Sequence, residues 1–147
     1  MKIRLSVASF LIAFLALPVT SDAEPTVSDA IDHMVSVCTG ISDKRLATRV
    51  GDFGIAIDSD ATFDMRDVKT SVGKFDDTFG DDAYYLNVLC TNGPCIRIVD
   101  SQGVVGPKGK LHTYMQMRWP CYYKEHADSA VRAADFIYRK VGRKRPF

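Results

Sequence analysis

Apolar positions recur at two different spacings along this chain, and each change of spacing marks a new element. Val27, Ala30, Ile31, Met34, Val35 and Cys38 fall at helical intervals and form one stripe, which predicts an amphipathic helix. Thr26 with Asp29 three residues on has the form of a capping box at its start, and Gly40 is placed to end it. From residue 45 to 68 the period becomes two. Phe53, Ile55 and Ile57 alternate with Gly54, Ala56 and Asp58; after the turn signal Asp58-Ser59-Asp60, Phe63 and Met65 alternate with Asp64 and Arg66. Two or three short strands are expected here. Residues 69–82, punctuated by Gly73, Gly80 and four Asp, read as an irregular loop with at most a short strand at its centre.

Ala83 to Asp100 carries the strongest local signal. A strand runs to Cys90, Asn92-Gly93 is a type I′ turn signal, and Cys95-Ile96 opens a second strand, so a hairpin stapled by its two cysteines is expected. Pro94 has no N–H with which to close the simplest two-residue turn, which leaves the turn type open. In the two-residue register Tyr84, Leu86, Val88, Cys90, Cys95, Arg97 and Val99 share one face, and Tyr85, Asn87, Leu89, Ile96 and Ile98 share the other. Both faces hold apolar groups, which predicts a central hairpin covered at least partly on both sides.

After a Gly-rich connection at 101–110, alternation returns from Lys110 to Trp119. Leu111, Thr113, Met115, Met117 and Trp119 are expected to face the core, and His112, Tyr114, Gln116 and Arg118 to form a polar and aromatic strip on the other face. A final helix is predicted over His126–Val141 from Ala127, Ala130, Val131, Ala134, Ile137, Tyr138 and Val141. Arg139 and Lys140 suit its negative end. The order predicts an α+β domain: a bent antiparallel meander or roll, flanked by an N-terminal helix, closed by a C-terminal amphipathic helix and stapled by disulfides.

The first residues change the picture of compartment. Lys2 and Arg4 precede the apolar run Leu5–Leu17, Pro18 breaks it, and Ser21 and Ala23 supply small residues, so a signal peptide over 1–23 with cleavage before Glu24 is expected. The run is short for a bilayer span, so no stable membrane anchor is expected. The remainder divides into a single domain, 24–142, and a basic tail, 143–147. Lys2, Arg4 and Asp22 leave with the leader, and the two signs of charge then balance, which gives no reason to expect nucleic acid. The distribution is uneven: residues 51–82 hold nine Asp against Arg66, Lys69 and Lys74, whereas 97–147 hold eleven basic residues against four acidic ones. The exported setting makes disulfides the expected state of the four cysteines. Cys90 and Cys95 flank one turn, which leaves Cys38 and Cys121 for each other. In the chain-entropy model that long bridge contributes roughly 4 kcal/mol.

Metal, nucleotide and redox motifs are absent. The cysteines lack zinc spacing. The aspartates after Asp58 lack the EF-hand pattern. Gly103 and Gly109 are one residue too far apart for a P-loop, with Leu111 in place of the Mg²⁺-binding hydroxyl. C-x4-C is not the redox C-x-x-C. His33 falls off the first helical stripe, and His112 and His126 have no sequence neighbours that suggest a triad. No cofactor is expected, and catalysis would need a site assembled from residues distant in sequence. The candidate binding residues are His112, Tyr114, Gln116, Arg118, Tyr122 and Tyr123, because interfaces favour Tyr and Arg. An envelope protein or peptide, or an anionic envelope component, is the expected kind of partner.

Cys90, Cys95, Ile96 and the Ala127–Ala134 segment, spanning about residues 83–141, resemble small exported bacterial domains in which Cys, a short turn and Cys-Ile precede an aromatic strand and an Ala-rich helix. The bent meander with its closing helix is similar to a pleckstrin-homology-like roll. Neither resemblance implies an activity. Cys90-Thr-Asn-Gly-Pro-Cys95 also resembles the C-x4-C loop of periplasmic lysozyme inhibitors, which implies a loop that enters an enzyme cleft; the His of those loops is missing here.

Overall fold

A computed structural model describes residues 23–38, 47–58, 60–76, 83–99 and 108–142. The expected leader up to residue 22, Gly40, Phe79, the connection at 101–107 and the basic tail at 143–147 lie outside the described residues. Helix α1 (Val27–Val37) is followed by strands β1 (Ala47–Val50), β2 (Gly54–Ile57), β3 (Ala61–Asp64), β4 (Val68–Lys74), β5 (Tyr84–Cys90), β6 (Ile96–Val99), β7 (Leu111–Tyr114) and β8 (Gln116–Tyr122), then helix α2 (Lys124–Lys140). The fold is α+β, an antiparallel meander between two helices. The strands form a five-stranded sheet in the order β1-β2-β3-β6-β7 and a three-stranded sheet in the order β4-β5-β8.

Three strands cross from one sheet to the other, and this crossing bends the meander into a roll. β3 continues into β4 through Met65–Asp67, β5 into β6 through Thr91–Cys95, and β7 into β8 through Met115 alone. The seven-residue β4 occupies the start of a segment whose glycine and aspartates suggested a loop. It pairs with β5 along its whole length, from Val68 opposite Cys90 to Lys74 opposite Tyr84. Tertiary pairing outweighs the weak strand propensity of Ser71, Gly73 and the lysines.

The expected hairpin is not formed. β5 pairs with β4 and β8, β6 pairs with β3 and β7, and the two never pair with each other. The Cys90 N–H donates to Met115 O (2.8 Å) and the Cys95 N–H to Tyr114 O (3.2 Å), so the two cysteines sit on consecutive carbonyls of the neighbouring strand. Thr91–Pro94 is looped out between them, and Gly93 alone supplies the positive φ (89°) that the loop needs. The loop changes which side chains face inward. Leu86, Val88 and Cys90 are buried with Ile96, whereas Arg97 and Val99 are exposed. On β5 one face is core and the other, with Tyr85, Asn87 and Leu89, is half-buried, as partial cover on both sides predicts; on β6 the outer residues Arg97 and Val99 are exposed.

The helices behave as their periodicity predicts. The Thr26–Asp29 capping box is complete: the Asp29 N–H donates to Thr26 Oγ1 (3.2 Å), and the Thr26 N–H donates to Asp29 Oδ2 (2.7 Å). Ala30, Ile31, Met34 and Cys38 are buried on α1, and Ala127, Ala130, Ala134, Ile137 and Tyr138 on α2. α2 packs on the inner face of the three-stranded sheet, and α1 packs on α2 and β1. The Ala-rich start of α2 permits close approach, and each fully buried Ile or Met contributes about 1.5–3 kcal/mol by removal from water. Both expected disulfides are present, Cys38–Cys121 across 83 residues and Cys90–Cys95 across five.

Candidate binding face

The strip expected from His112 to Arg118 is divided by the bend at Met115. Before the bend His112 stands opposite Ile98 and Tyr114 opposite the buried Ile96, so both point to the core side of the five-stranded sheet. After it Met117 stands opposite Val88 and Trp119 opposite Leu86 on the inner face, which turns Gln116 and Arg118 outward. One residue without a ladder partner inverts the alternation. Met115 and Leu111, expected in the core, are each 44% exposed. Tyr114 packs against the core, and His112 Nε2 is buried with no hydrogen-bond partner among the described residues.

Gln116 and Arg118 instead join a face that crosses all three strands of the smaller sheet. Three cross-strand rows compose it: Lys69, Leu89 and Gln116; Ser71, Asn87 and Arg118; Gly73, Tyr85 and Pro120. Two of these nine residues are cationic and none is acidic. Lys69, Ser71, Gln116 and Arg118 are exposed, so the face is open to solvent.

Tyr85 organises one end of this face. Its ring lies across Gly73, where any Cβ would collide with it, so the glycine is required by close approach. Phe75 packs on the ring at 4.6 Å between centroids, and the Arg118 guanidinium sits 5.1 Å from its centroid on the strand opposite. The guanidinium is thereby positioned by stacking. Among the described residues no carboxylate pairs with Arg118 or Lys69. Asn87 Oδ1, in the middle row between Ser71 and Arg118, is buried without a hydrogen-bond partner among them.

Tyr122 and Tyr123 are exposed, 44% and 58%, where β8 passes into α2. A bulge between Tyr84 and Tyr85 sets three residues, Pro120–Tyr122, opposite two. Cys121 is buried in the middle of that run, where it bonds to Cys38. Tyr122 has a φ of 64°, an unfavourable conformation for a bulky side chain. Its ring lies 5.7 Å from Tyr123, which meets His126 edge-on at 5.2 Å.

One contact had no signal in the sequence. His33 Nε2 and Ser129 Oγ share a hydrogen bond across α1 and α2. Serine and histidine in contact are the beginning of a nucleophile and base pair. Here Ser129 lies within a helix whose N–H groups are committed to its own carbonyls, and among the described residues nothing is bonded to His33 Nδ1. The contact serves as a tie between helices. No group of three His, Cys, Asp or Glu that could hold a metal ion occurs among the described residues.

Comparison with protein-family models, with curated proteins and with solved structures gave no match. The functional reading therefore rests on the geometry of the faces themselves.

Proposed function

We propose that this chain is an exported, non-catalytic interaction module that binds an acidic segment of an envelope protein or peptide on the outer face of β4, β5 and β8. The observation that carries the reading is Arg118. It is exposed, stacked on Tyr85, without a carboxylate among the described residues, and on a face where Lys69 adds a second positive charge and nothing negative offsets them. A pre-positioned guanidinium with Ser, Asn and Gln around it suits a carboxylate, which accepts two parallel N–H donors. Export rests on the leader-like start of the sequence and on two disulfides, which persist in oxidising compartments. Among the described residues no helix is long and apolar enough to cross a membrane.

The test is charge reversal. A labelled peptide of alternating Glu and Ser is titrated into the wild-type protein and into the Lys69→Glu/Arg118→Glu variant, with circular dichroism confirming the fold. Affinity is expected to fall by at least about fivefold, with salt weakening only the wild-type interaction. Equal binding by both proteins overturns the reading.

A second reading has one observation behind it. Thr91, Asn92 and Pro94 are exposed in a loop tied at its base by a disulfide, as a cleft-entering inhibitor loop would be. In this reading purified protein slows lysozyme lysis and replacement of Asn92-Gly93 relieves the effect. Lysis unchanged across lysozyme classes removes it.

A further inference from the structure

We infer that Cys90–Cys95 is a thiol–disulfide exchange site, reduced selectively by an external dithiol while Cys38–Cys121 stays closed. The inference is independent of the acidic-partner reading.

Access separates the two bridges. Cys38, at the end of α1, and Cys121, within β8, are 0% and 1% exposed. Cys90 is 4% exposed, but Cys95 is only half-buried and adjoins the exposed Pro94. Exchange requires a thiolate to reach one sulfur in line with the bond it breaks, so Cys95 Sγ is the point of attack.

Polar groups around the sulfurs favour the same direction. The Cys95 N–H, shared with Tyr114 O at 3.2 Å, also points at Cys90 Sγ, 3.0 Å away. A thiolate leaving on Cys90 is therefore met by a backbone donor, which offsets part of the cost of its burial and of Tyr114 O at 3.3 Å. The attacking thiolate forms a bond to Cys95 Sγ, and the pair of electrons in the old bond departs with Cys90 Sγ. The second thiol of the reductant then attacks its own sulfur in the mixed disulfide and releases Cys95 as a thiolate. The reductant ends as a disulfide, having supplied two electrons, and the two cysteines take up two protons.

The corner is built to hold in either state. As a thiol, Cys90 has Tyr114 O at 3.3 Å and Cys95 has Asp67 O at 3.7 Å as acceptors, which disulfide sulfurs cannot use as donors. Four bonds, one of them through the shared Cys95 N–H, hold the chain there without the bridge: the N–H groups of Cys90, Thr91 and Cys95 on Met115 O, Asp67 O and Tyr114 O, and Thr91 Oγ1 on Asp67 O. Reduction therefore frees Asn92–Pro94, with Thr91 still held on Asp67 O, without dismantling either sheet.

The oxidised full chain is titrated with dithiothreitol, quenched in acid, alkylated and mapped by mass spectrometry, with circular dichroism recorded alongside. Expected is a window at least tenfold wide in dithiothreitol in which Cys90 and Cys95 are alkylated, Cys38–Cys121 is intact and the spectrum is native. Brief exposure to glutathione should trap the mixed disulfide on Cys95. Release of all four thiols together, unfolding within the window, or glutathione mainly on Cys90 overturns the inference.

Discussion

The two disulfides lie in regions built on opposite plans. Around Cys38–Cys121 the chain relies on the bond. It joins the end of α1 to the bulged end of β8 across 83 residues, in the core; the Cys38 N–H on Met34 O and the Tyr123 N–H on Cys121 O stay within their own segments, and the bond from Trp119 Nε1–H to Cys38 O at 2.6 Å is what ties the same two elements beside it. Around Cys90–Cys95 the chain is already held. The bridge spans five residues of a strand corner whose amides sit on Met115, Asp67 and Tyr114 carbonyls. In the chain-entropy model a cross-link stabilises according to the freedom it removes from the unfolded chain, so the long bridge should matter more than the short one. The short one is where chemistry is accessible.

The largest effect should come from opening the long bridge. Cys38→Ala/Cys121→Ala is expected to lose about 4 kcal/mol in denaturant unfolding. A loss no greater than that of the short bridge would erase the contrast. Trp119→Phe comes next. It leaves Cys38 O without its donor in a buried setting and shrinks a side chain that meets Phe63 edge-on at 6.1 Å, for an expected cost of about 2–3 kcal/mol. Cys90→Ser/Cys95→Ser should cost about 2 kcal/mol or less, with the amides of Cys90 and Cys95 still protected in hydrogen exchange. Rapid exchange at both amides would show that the corner depends on its bridge after all.

The same contrast explains what could be read from residue order. Periods set by local geometry were legible. Both helical stripes, the Thr26–Asp29 box and the cysteine pairing follow from spacing within one element or by elimination, and all are present. Misreadings concentrate at the corners. Alternation assumes that every residue advances the ladder by one step, and Met115 and Thr91–Pro94 break that rule. One unpaired residue at Met115 sent His112 and Tyr114 inward and left Gln116 and Arg118 outward. Four looped residues exchanged the expected places of Ile96 and Arg97. Asn92-Gly93 is a sound turn signal, but nothing in it distinguishes a turn that reverses a strand from one that carries it into a second sheet. Half of the candidate strip thus survives on the surface. Its partners Tyr85, Lys69 and Ser71 lie on strands whose register only the fold supplies; the one hint was Gly73 in a strand-length segment, a sign of close approach by a neighbouring side chain.

The smallest effect tests how far the region around the long bridge depends on α1 being formed at its other end. Thr26→Ala removes the hydroxyl that accepts from the Asp29 N–H and donates to the Asp29 carboxylate, at 2.7 Å. Loss of such a cap costs about 1 kcal/mol, and Cys90 and Cys95 should keep their hydrogen-exchange protection because α1 packs on α2 and β1. The cost should also depend on pH. The Thr26 side chain, and then its backbone N–H, hold the Asp29 carboxyl below its ordinary range. A carboxyl lowered by folding adds stability above its unfolded value of about 3.9, and that stability disappears as pH falls through the folded value. The difference between wild type and Thr26→Ala should therefore narrow in acid, and NMR titration should find the Asp29 carboxyl moved upward in the variant. An equal gap at pH 7 and below pH 3, with the Asp29 titration unmoved, would mean that the hydroxyl acts on the helix end without its reciprocal bond to Asp29.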